Sequence, residues 1–535
     1  MEFNPSLYNY ASRRNIVYSR KAVATSNPLA AQAGIEVMQR GGNAIDAAIA
    51  TAAALTVVEP TANGIGGDAF AIVWDGKKLH GLNASGFAPA SLDADVLRNK
   101  GMKEVPPNSW EAVTVPGAPS AWAALSEKFG ALPFAELMQS AIDYARYGYP
   151  LPVGVGESWK RAYVHYRETL KDEMFKPWFD TFAPGGICPG PGIIWSSGDM
   201  ADTLEKLADT GCEDFYRGGI ADDIVAFAKK YGGYIQEADL AEYHPEWVEP
   251  ISANYRGYDV HELPPNGQGL AALIALNILK GFDLDDSRET ERNYHLQIEA
   301  MKLAFADADA YIADPRFMEV GPAELLSESY AESRRLMIGE KAAVHQHGTP
   351  MRGGTVYLTT ADAQGNMVSY IQSNYMGFGS GLVVPSRGIS LHNRGSNFKL
   401  AAGHPNCIAP RKKPYHTIIP GFLTKDGVPV GPFGVMGGFM QPQAHVQVIS
   451  SAIDFHLNPQ DILDAPRWRW EKGKSVFLED SVSPDIAKGL SERGHEVTIT
   501  SEYGQMGRGQ IIWRRPNGAY CVGTEPRSDG AIACM

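Results

Sequence analysis

Residues 353–357 of this 535-residue chain read Gly-Gly-Thr-Val-Tyr, a threonine opening an apolar stretch behind two glycines. A threonine hydroxyl is a weak nucleophile and needs a base beside it. A free α-amino group has a pKa of about 8 and is partly neutral near physiological pH. If the peptide bond between Gly354 and Thr355 were cut, the new amine would sit on the same residue as the hydroxyl, placed to take its proton. Gly354 adds the backbone freedom for the Thr355 hydroxyl to reach the preceding carbonyl, so that the chain could cut itself. On spacing alone, an ordinary glycine turn leading into a strand explains the same five residues.

Other motifs fall short. Residues 64–70, Gly-Ile-Gly-Gly-Asp-Ala-Phe, look like a phosphate-binding loop, but G-x-G-x-x-G needs glycine where Ala69 stands. A tight turn accounts for these glycines. Gly473-Lys474-Ser475 lacks the upstream glycine of a P-loop, since Trp468 holds that place. No H-E-x-x-H exists, so a zinc peptidase is unsupported. Ser396 and Lys399 make the S-x-x-K of penicillin-recognising serine enzymes, without a K-T-G partner. A serine acyl enzyme using Ser396 and Lys399 stands as a second reading, and a non-catalytic binding protein as a third.

The elements that must position these residues follow from periodicity. Residues 22–26 read as a short strand, and residues 28–60 as two alanine-rich helices broken at Gly41-Gly42. Residues 64–74 read as a glycine turn into a buried strand. From Glu291 the apolar spacing predicts a long amphipathic helix that stops before Pro315. Residues 353–373 predict a hairpin turning at Gln364-Gly365-Asn366. A second hairpin turns at Asp426-Gly427. The span 315–350 reads as an exposed linker. The chain is expected to be helix-rich before residue 354 and strand-led after it.

Composition narrows the partners. Hydrophobic residues at 44% and charged residues at 20% exclude a disordered or fibrous chain. Sixty-one acids against 48 bases, with no dense basic block, argue against nucleic acid as a partner. The longest apolar run, Ala47 to Val58, is too short to cross a bilayer, which needs about 20 residues. No membrane partner is expected. Five scattered cysteines without a C-x-x-C pair, and no secretory pattern at the start, point to reduced thiols and a cytoplasmic location.

Several blocks in one order carry a resemblance: NPLAAQAGIEVMQRGGNAIDAAIA, GIGGDAF, VPGAPSAW, HLQIEAMKLAFADADAYIADP, GGTVYLTTADAQGN, GVMGG, LDAPRW and EPRSDGA. Over nearly the whole chain the sequence resembles the gamma-glutamyltransferase family of threonine N-terminal-nucleophile hydrolases. That resemblance implies an α+β fold, an αββα four-layer sandwich with two sheets between helix layers. It implies a proenzyme that cuts itself between Gly354 and Thr355 into a large subunit, 1–354, and a small subunit, 355–535. Thr355 would be the nucleophile of both steps, Ser373 a second hydroxyl that orients it, and Gly437 and Gly438 the backbone donors of an oxyanion hole. Such donors contribute about 3–4 kcal/mol each. The protein would be an amidohydrolase or acyltransferase acting on a small-molecule amide through a Thr355 acyl-enzyme, released by water or an acceptor amine, with no metal or organic cofactor, and the processed unit could pair as a homodimer.

Departures from the family pattern concern recognition. Relatives that act on glutathione hold its α-carboxylate with an arginine where Ser85 aligns here. Acidic and amide residues that hold the α-ammonium become Arg394 and Asn397, and paired serines become His416 and Thr417. An ammonium facing a guanidinium is unfavourable, so free glutathione is expected to be a poor substrate. Arg394 could instead grip a carboxylate or carbonyl of a different acyl group. The loop around Arg394 is most similar to the branch that holds glutathione-hydrolase-like proenzymes and oxamate amidohydrolase. Oxamate amidohydrolase or cephalosporin and glutaryl acylase activity is therefore the alternative within the same fold. A denaturing gel of purified protein is expected to show two fragments, the smaller starting at Thr355; one intact chain would favour the non-catalytic reading.

Overall fold

A computed structural model of the protein describes residues 13–344 and 354–535. Its centre is two seven-stranded sheets, antiparallel throughout. The first runs Val17–Ser19, Tyr520–Thr524, Arg508–Arg514, Val428–Met436, Gly421–Lys425, Tyr258–Glu262, Ile251–Tyr255. The second runs Ala531–Cys534, Ala22–Thr25, Gly354–Ala361, Met367–Tyr375, Asp68–Trp74, Leu79–Ala84, Glu246–Val248. Both expected hairpins form, with their turns where the sequence puts them. Among the described residues the part before 354 is helix-rich and the part after it strand-led, as expected, and each sheet takes strands from both sides of that position.

The sheets face each other across an apolar layer that includes Phe70, Ile72, Tyr357, Ile371, Ile418, Phe422, Met436 and Ile512. Gly434 makes close approach possible: a Cβ there would stand 2.5 Å from the Tyr357 ring. Helices Pro28–Gln39 and Ala44–Val58 pack on the second sheet. All of Ala44–Val58 is buried, which explains why that run is apolar on every side. Asn43 caps it, and the Asp46 carboxylate accepts in return from the Asn43 backbone N–H at 2.9 Å. Helices Gly269–Leu279, Glu291–Tyr311 and Met440–Ile453 belong to the core on the outer side of the first sheet.

Two expectations need correction. Glu291–Tyr311 is not a half-exposed amphipathic helix; His295, Gln297, Glu299 and Lys302 are buried along with its apolar residues, which a pattern of apolar spacing cannot reveal. The span 315–350 is not a plain linker, since its described part carries helices Pro322–Leu325 and Glu328–Arg335; its last residues, 345–350, lie outside the described residues. All five cysteines are free, and among the described residues no helix is long and apolar enough to cross a membrane. Gly434→Ala should overpack the layer between the sheets, at a cost of about 1–3 kcal/mol. A lower midpoint of thermal unfolding is the expected readout, and an unchanged midpoint would show that the sheets yield there.

Candidate active site

Register places three polar side chains side by side. Ser373 pairs with Asp68 across neighbouring strands, and Gly354 pairs with Tyr375. An irregularity between Gly354 and Val356 interrupts the pairing at Thr355, and such bulges re-aim a side chain. The Thr355 hydroxyl lies 3.0 Å from the Ser373 hydroxyl. Ser373 donates to the Gly354 carbonyl at 2.7 Å and accepts from the Tyr375 amide at 2.8 Å. With its one proton on Gly354, Ser373 is the acceptor for Thr355. Glycine at 354 is a matter of space: a Cβ would stand 2.9 Å from the Gly377 nitrogen and 3.2 Å from the Ala62 Cα.

Arg394 completes the group. It starts the short turn Arg394–Asn397 and is wholly buried. Its guanidinium donates to Thr417 Oγ1 at 2.7 Å and to Ser373 Oγ at 3.3 Å, and lies 4.3 Å from the centre of the Tyr375 ring. Its Nε has no partner among the described residues. Burial pulls its pKa down to about 10, against the opposing field of Asp68, so it stays cationic at neutral pH. Tyr375 holds a left-handed backbone, φ 75°, a strain that for a non-glycine residue costs about 1–3 kcal/mol.

Asp68 is the balancing acid. Burial pushes its pKa up to about 7, although Arg394 and the amides of Gly86 and Gly117 favour the carboxylate. His416 Nε2 lies 2.9 Å from Asp68 Oδ2 and His392 Nδ1 3.7 Å away. Burial and the Arg394 charge hold both imidazoles well below their usual range, His392 at about 3. The His392 ring bonds the Thr114 carbonyl through Nε2, at 3.0 Å.

A hydrogen-bond chain links this cluster to the glycine pair. Gln268 donates to the Thr417 carbonyl at 2.6 Å and to the Gly438 carbonyl at 2.9 Å. Gly437 and Gly438, at φ 139° and 60°, leave the strand Val428–Met436 and lead into the helix Met440–Ile453. Glycine is needed there because both hold backbone that side chains rarely adopt. Thr355, Ser373, Arg394, Thr417 and Gly438 are thus joined in one network, and His416 enters it through Asp68. Asn397 stands apart: its amide donates to the Tyr415 carbonyl at 3.0 Å, which supports the segment carrying His416. Ser85 bonds Asn83 Oδ1 at 2.7 Å.

The second reading loses its geometry. Ser396 donates to the Asn393 carbonyl, while the Lys399 ammonium pairs with Asp309 at 3.1 Å. Sequence reasoning missed Asp68, Gln268 and Tyr375. An acid opening the otherwise apolar strand Asp68–Trp74 was a signal for the first, and a polar residue preceding the fully buried helix Gly269–Leu279 for the second. Nothing in the sequence marked Tyr375.

Two facing antiparallel sheets with a threonine at the head of a central strand define an N-terminal-nucleophile hydrolase-like fold. The gamma-glutamyltranspeptidase model matches residues 30–535, and the chain belongs to that family. It is 34% identical to the glutathione hydrolase-like YwrD proenzyme of Bacillus subtilis, over 97% of this chain and 99% of that one. It is also 34% identical to the oxamate amidohydrolase proenzyme of Klebsiella pneumoniae, over 94% and 96%. The crystal structure of a cephalosporin acylase from Bacillus halodurans superposes with a TM-score of 0.97 at 56% identity, covering 100% of this chain and 99% of that one. The protein is therefore an autoprocessed amidohydrolase or acylase of this family, made as a proenzyme.

Asp68 gives the site a pH dependence. As pH falls through about 7 the acid takes up a proton and leaves the Arg394 charge unbalanced; as pH rises the carboxylate forms and offsets it. Inhibition by a small dicarboxylate such as glutarate should weaken as pH rises across neutrality. Asp68→Asn keeps the Oδ1 acceptor for Gly86 and Gly117 and should make the dependence of the inhibition constant on pH shallower, leaving the slope due to the Thr355 amine. The same slope in both proteins would rule out Asp68 as the group.

Proposed function

We propose that Thr355 is the nucleophile of a self-processing amidase whose preferred acyl group carries a carboxylate and no neighbouring ammonium. The carrying observation is the pair of hydroxyls at the Gly354 carbonyl, Thr355 Oγ1 3.0 Å from Ser373 Oγ and Ser373 2.7 Å from the Gly354 oxygen. In the uncut chain the Ser373 hydroxyl polarises that carbonyl and Thr355 Oγ1 attacks its carbon. The C–N bond breaks, the hydroxyl proton ends on the departing nitrogen, and water hydrolyses the ester. The products are an αββα sandwich of two subunits, 1–354 with a new carboxylate and 355–535 with a new amine.

In the mature enzyme that amine takes the Thr355 proton as the hydroxyl attacks the substrate amide. Backbone amides of Gly437 and Gly438 hold the oxyanion, and the amine returns its proton to the leaving nitrogen. Water then releases the acyl group. Ser373 is the oxyanion donor of the first reaction and orients Thr355 in the second. No step requires a metal or cofactor.

For the acyl group, the cationic Arg394 beside Ser373, backed by Thr417 and Tyr375, favours an anion. It repels the α-ammonium of a γ-glutamyl group. His416 is held by Asp68, and Asn397 by Tyr415, so both shape the pocket from behind. The names of two relatives, an oxamate amidohydrolase and a cephalosporin acylase, agree with a substrate other than glutathione.

A matched pair of p-nitroanilides, glutaryl and γ-glutamyl, differs only in the ammonium. The glutaryl compound should have the larger kcat/KM by at least about tenfold, a difference of about 1.4 kcal/mol. Arg394→Gln should remove most of that preference, chiefly through KM. Thr355→Ala should remain a single chain with no turnover of either compound. A preference for the γ-glutamyl compound would overturn the substrate assignment, and a cleaved, active Thr355→Ala protein would overturn the nucleophile.

A further inference from the structure

We propose that His295, Glu299 and His495 form a zinc-binding site that pins the loop before the strand Glu496–Thr500 to the helix Glu291–Tyr311. His295 and Glu299 are four residues apart, one helical turn, and so share a face. His495 reaches them from the far side of residue 354, and all three side chains are buried. His295 Nδ1 is 2.9 Å from His495 Nε2, and His495 Nε2 is 3.9 Å from Glu299 Oε1. All three donor atoms lie within 4.8 Å of one another. Zinc bonds of about 2.0–2.1 Å in tetrahedral geometry set neighbouring donors about 3.3–3.4 Å apart, between the two observed separations. Two imidazoles and one carboxylate are a zinc donor set, with water as the fourth ligand.

The surroundings fit a ligand cluster. His295 Nε2 donates to the Gly339 carbonyl at 2.8 Å, so its Nδ1 carries the lone pair that faces His495. A backbone carbonyl on the far ring nitrogen is the usual way a ligating histidine is oriented. His495 Nδ1 is buried and has no partner among the described residues. It can take the proton that Nε2 gives up, so metal binding needs a change of tautomer and no proton lost to solvent. Lys302 donates to Glu299 Oε1 at 2.6 Å and to the Ala343 carbonyl at 3.3 Å, and the Ala343 amide donates to Glu299 Oε2 at 3.2 Å. A carboxylate has about four acceptor positions, so these two donors do not by themselves exhaust it. The ammonium is the main electrostatic competitor, and it limits affinity without blocking the lone pairs of the two rings.

The placement suggests the use. Residues 339–343 lie over the cluster, and Ala342 and Lys341 also bond the loop at Arg493 and Glu492. These are among the last described residues before position 354. If the chain is cut there, as proposed above, the metal would join a large-subunit helix to a small-subunit loop that no peptide bond connects any longer.

Chelator-treated protein should bind one zinc ion per chain by calorimetry, and cobalt(II) should give the strong visible absorption of a tetrahedral site. His495→Gln keeps an N–H for His295 but is a poor metal ligand, and Glu299→Gln keeps the shape of its side chain. Each should weaken zinc binding at least about tenfold. Thr355→Ala protein should bind zinc as the natural protein does, which separates this inference from that of self-cleavage. In processed protein, zinc should raise the urea concentration at which the two fragments separate. No stoichiometric binding, or undiminished binding by His495→Gln, would overturn the site and leave a hydrogen-bonded clasp.

Discussion

Arg394 keeps its charge where there is no water, and the arrangement around Thr355 follows from how that charge is satisfied. Removing an ion from water costs several kcal/mol unless hydrogen bonds and opposite charge replace the solvent. Here Thr417 and Ser373 accept from the guanidinium, the Tyr375 face lies against it, and Asp68 supplies the opposing field. Ser373 and Tyr375 share the strand Met367–Tyr375, while Thr417 and Asp68 come from elsewhere, so satisfying one side chain ties three other segments to that of Arg394. The same hydroxyl that accepts from Arg394 is the one that touches both Thr355 and the Gly354 carbonyl. Charge burial and the placement of the Thr355 hydroxyl are a single arrangement.

Asp68 and Arg394 also show why a site of this kind is set by environment as much as by residue type. A carboxyl group that titrates near neutrality beside a guanidinium that does not makes the net charge of the cluster adjustable. The histidines near Asp68 stay neutral because burial and Arg394 both oppose a second cation. They serve as hydrogen-bonding spacers, holding Asp68 and the loop at Thr114 in place.

Much of the local structure was legible in the sequence. The alanine-rich helices, the glycine turn before Asp68 and both hairpins follow from periodicity and turn residues, which act over a few positions. Thr355 was legible as chemistry but not as an assignment, since a glycine turn explained it equally well until the other blocks of the family were set beside it. What could not be read depends on pairings distant in sequence. Asp68 drew no notice because Arg394 and His416, the groups that give it meaning, are more than three hundred positions away. Nothing local to Arg394 reports that Tyr375 and Thr417 enclose it. The helix at Glu291–Tyr311 has apolar residues at amphipathic spacing, yet polar side chains on its other faces are buried against later segments, Gln297 against Trp468 and His295 against His495.

The order of strands has a consequence for biogenesis. In the second sheet, Gly354–Ala361 and Met367–Tyr375 sit between Ala22–Thr25 and Asp68–Trp74, and in the first, four late strands are bracketed by early ones. Neither half can complete a sheet by itself, and each alone would expose unpaired strand edges, which invite aggregation. Translation of the full polypeptide must therefore be finished before either layer can close. Co-expression of two separately encoded pieces should be a poor substitute for one continuous gene, because the pieces would have to interdigitate as they fold instead of docking as finished bodies.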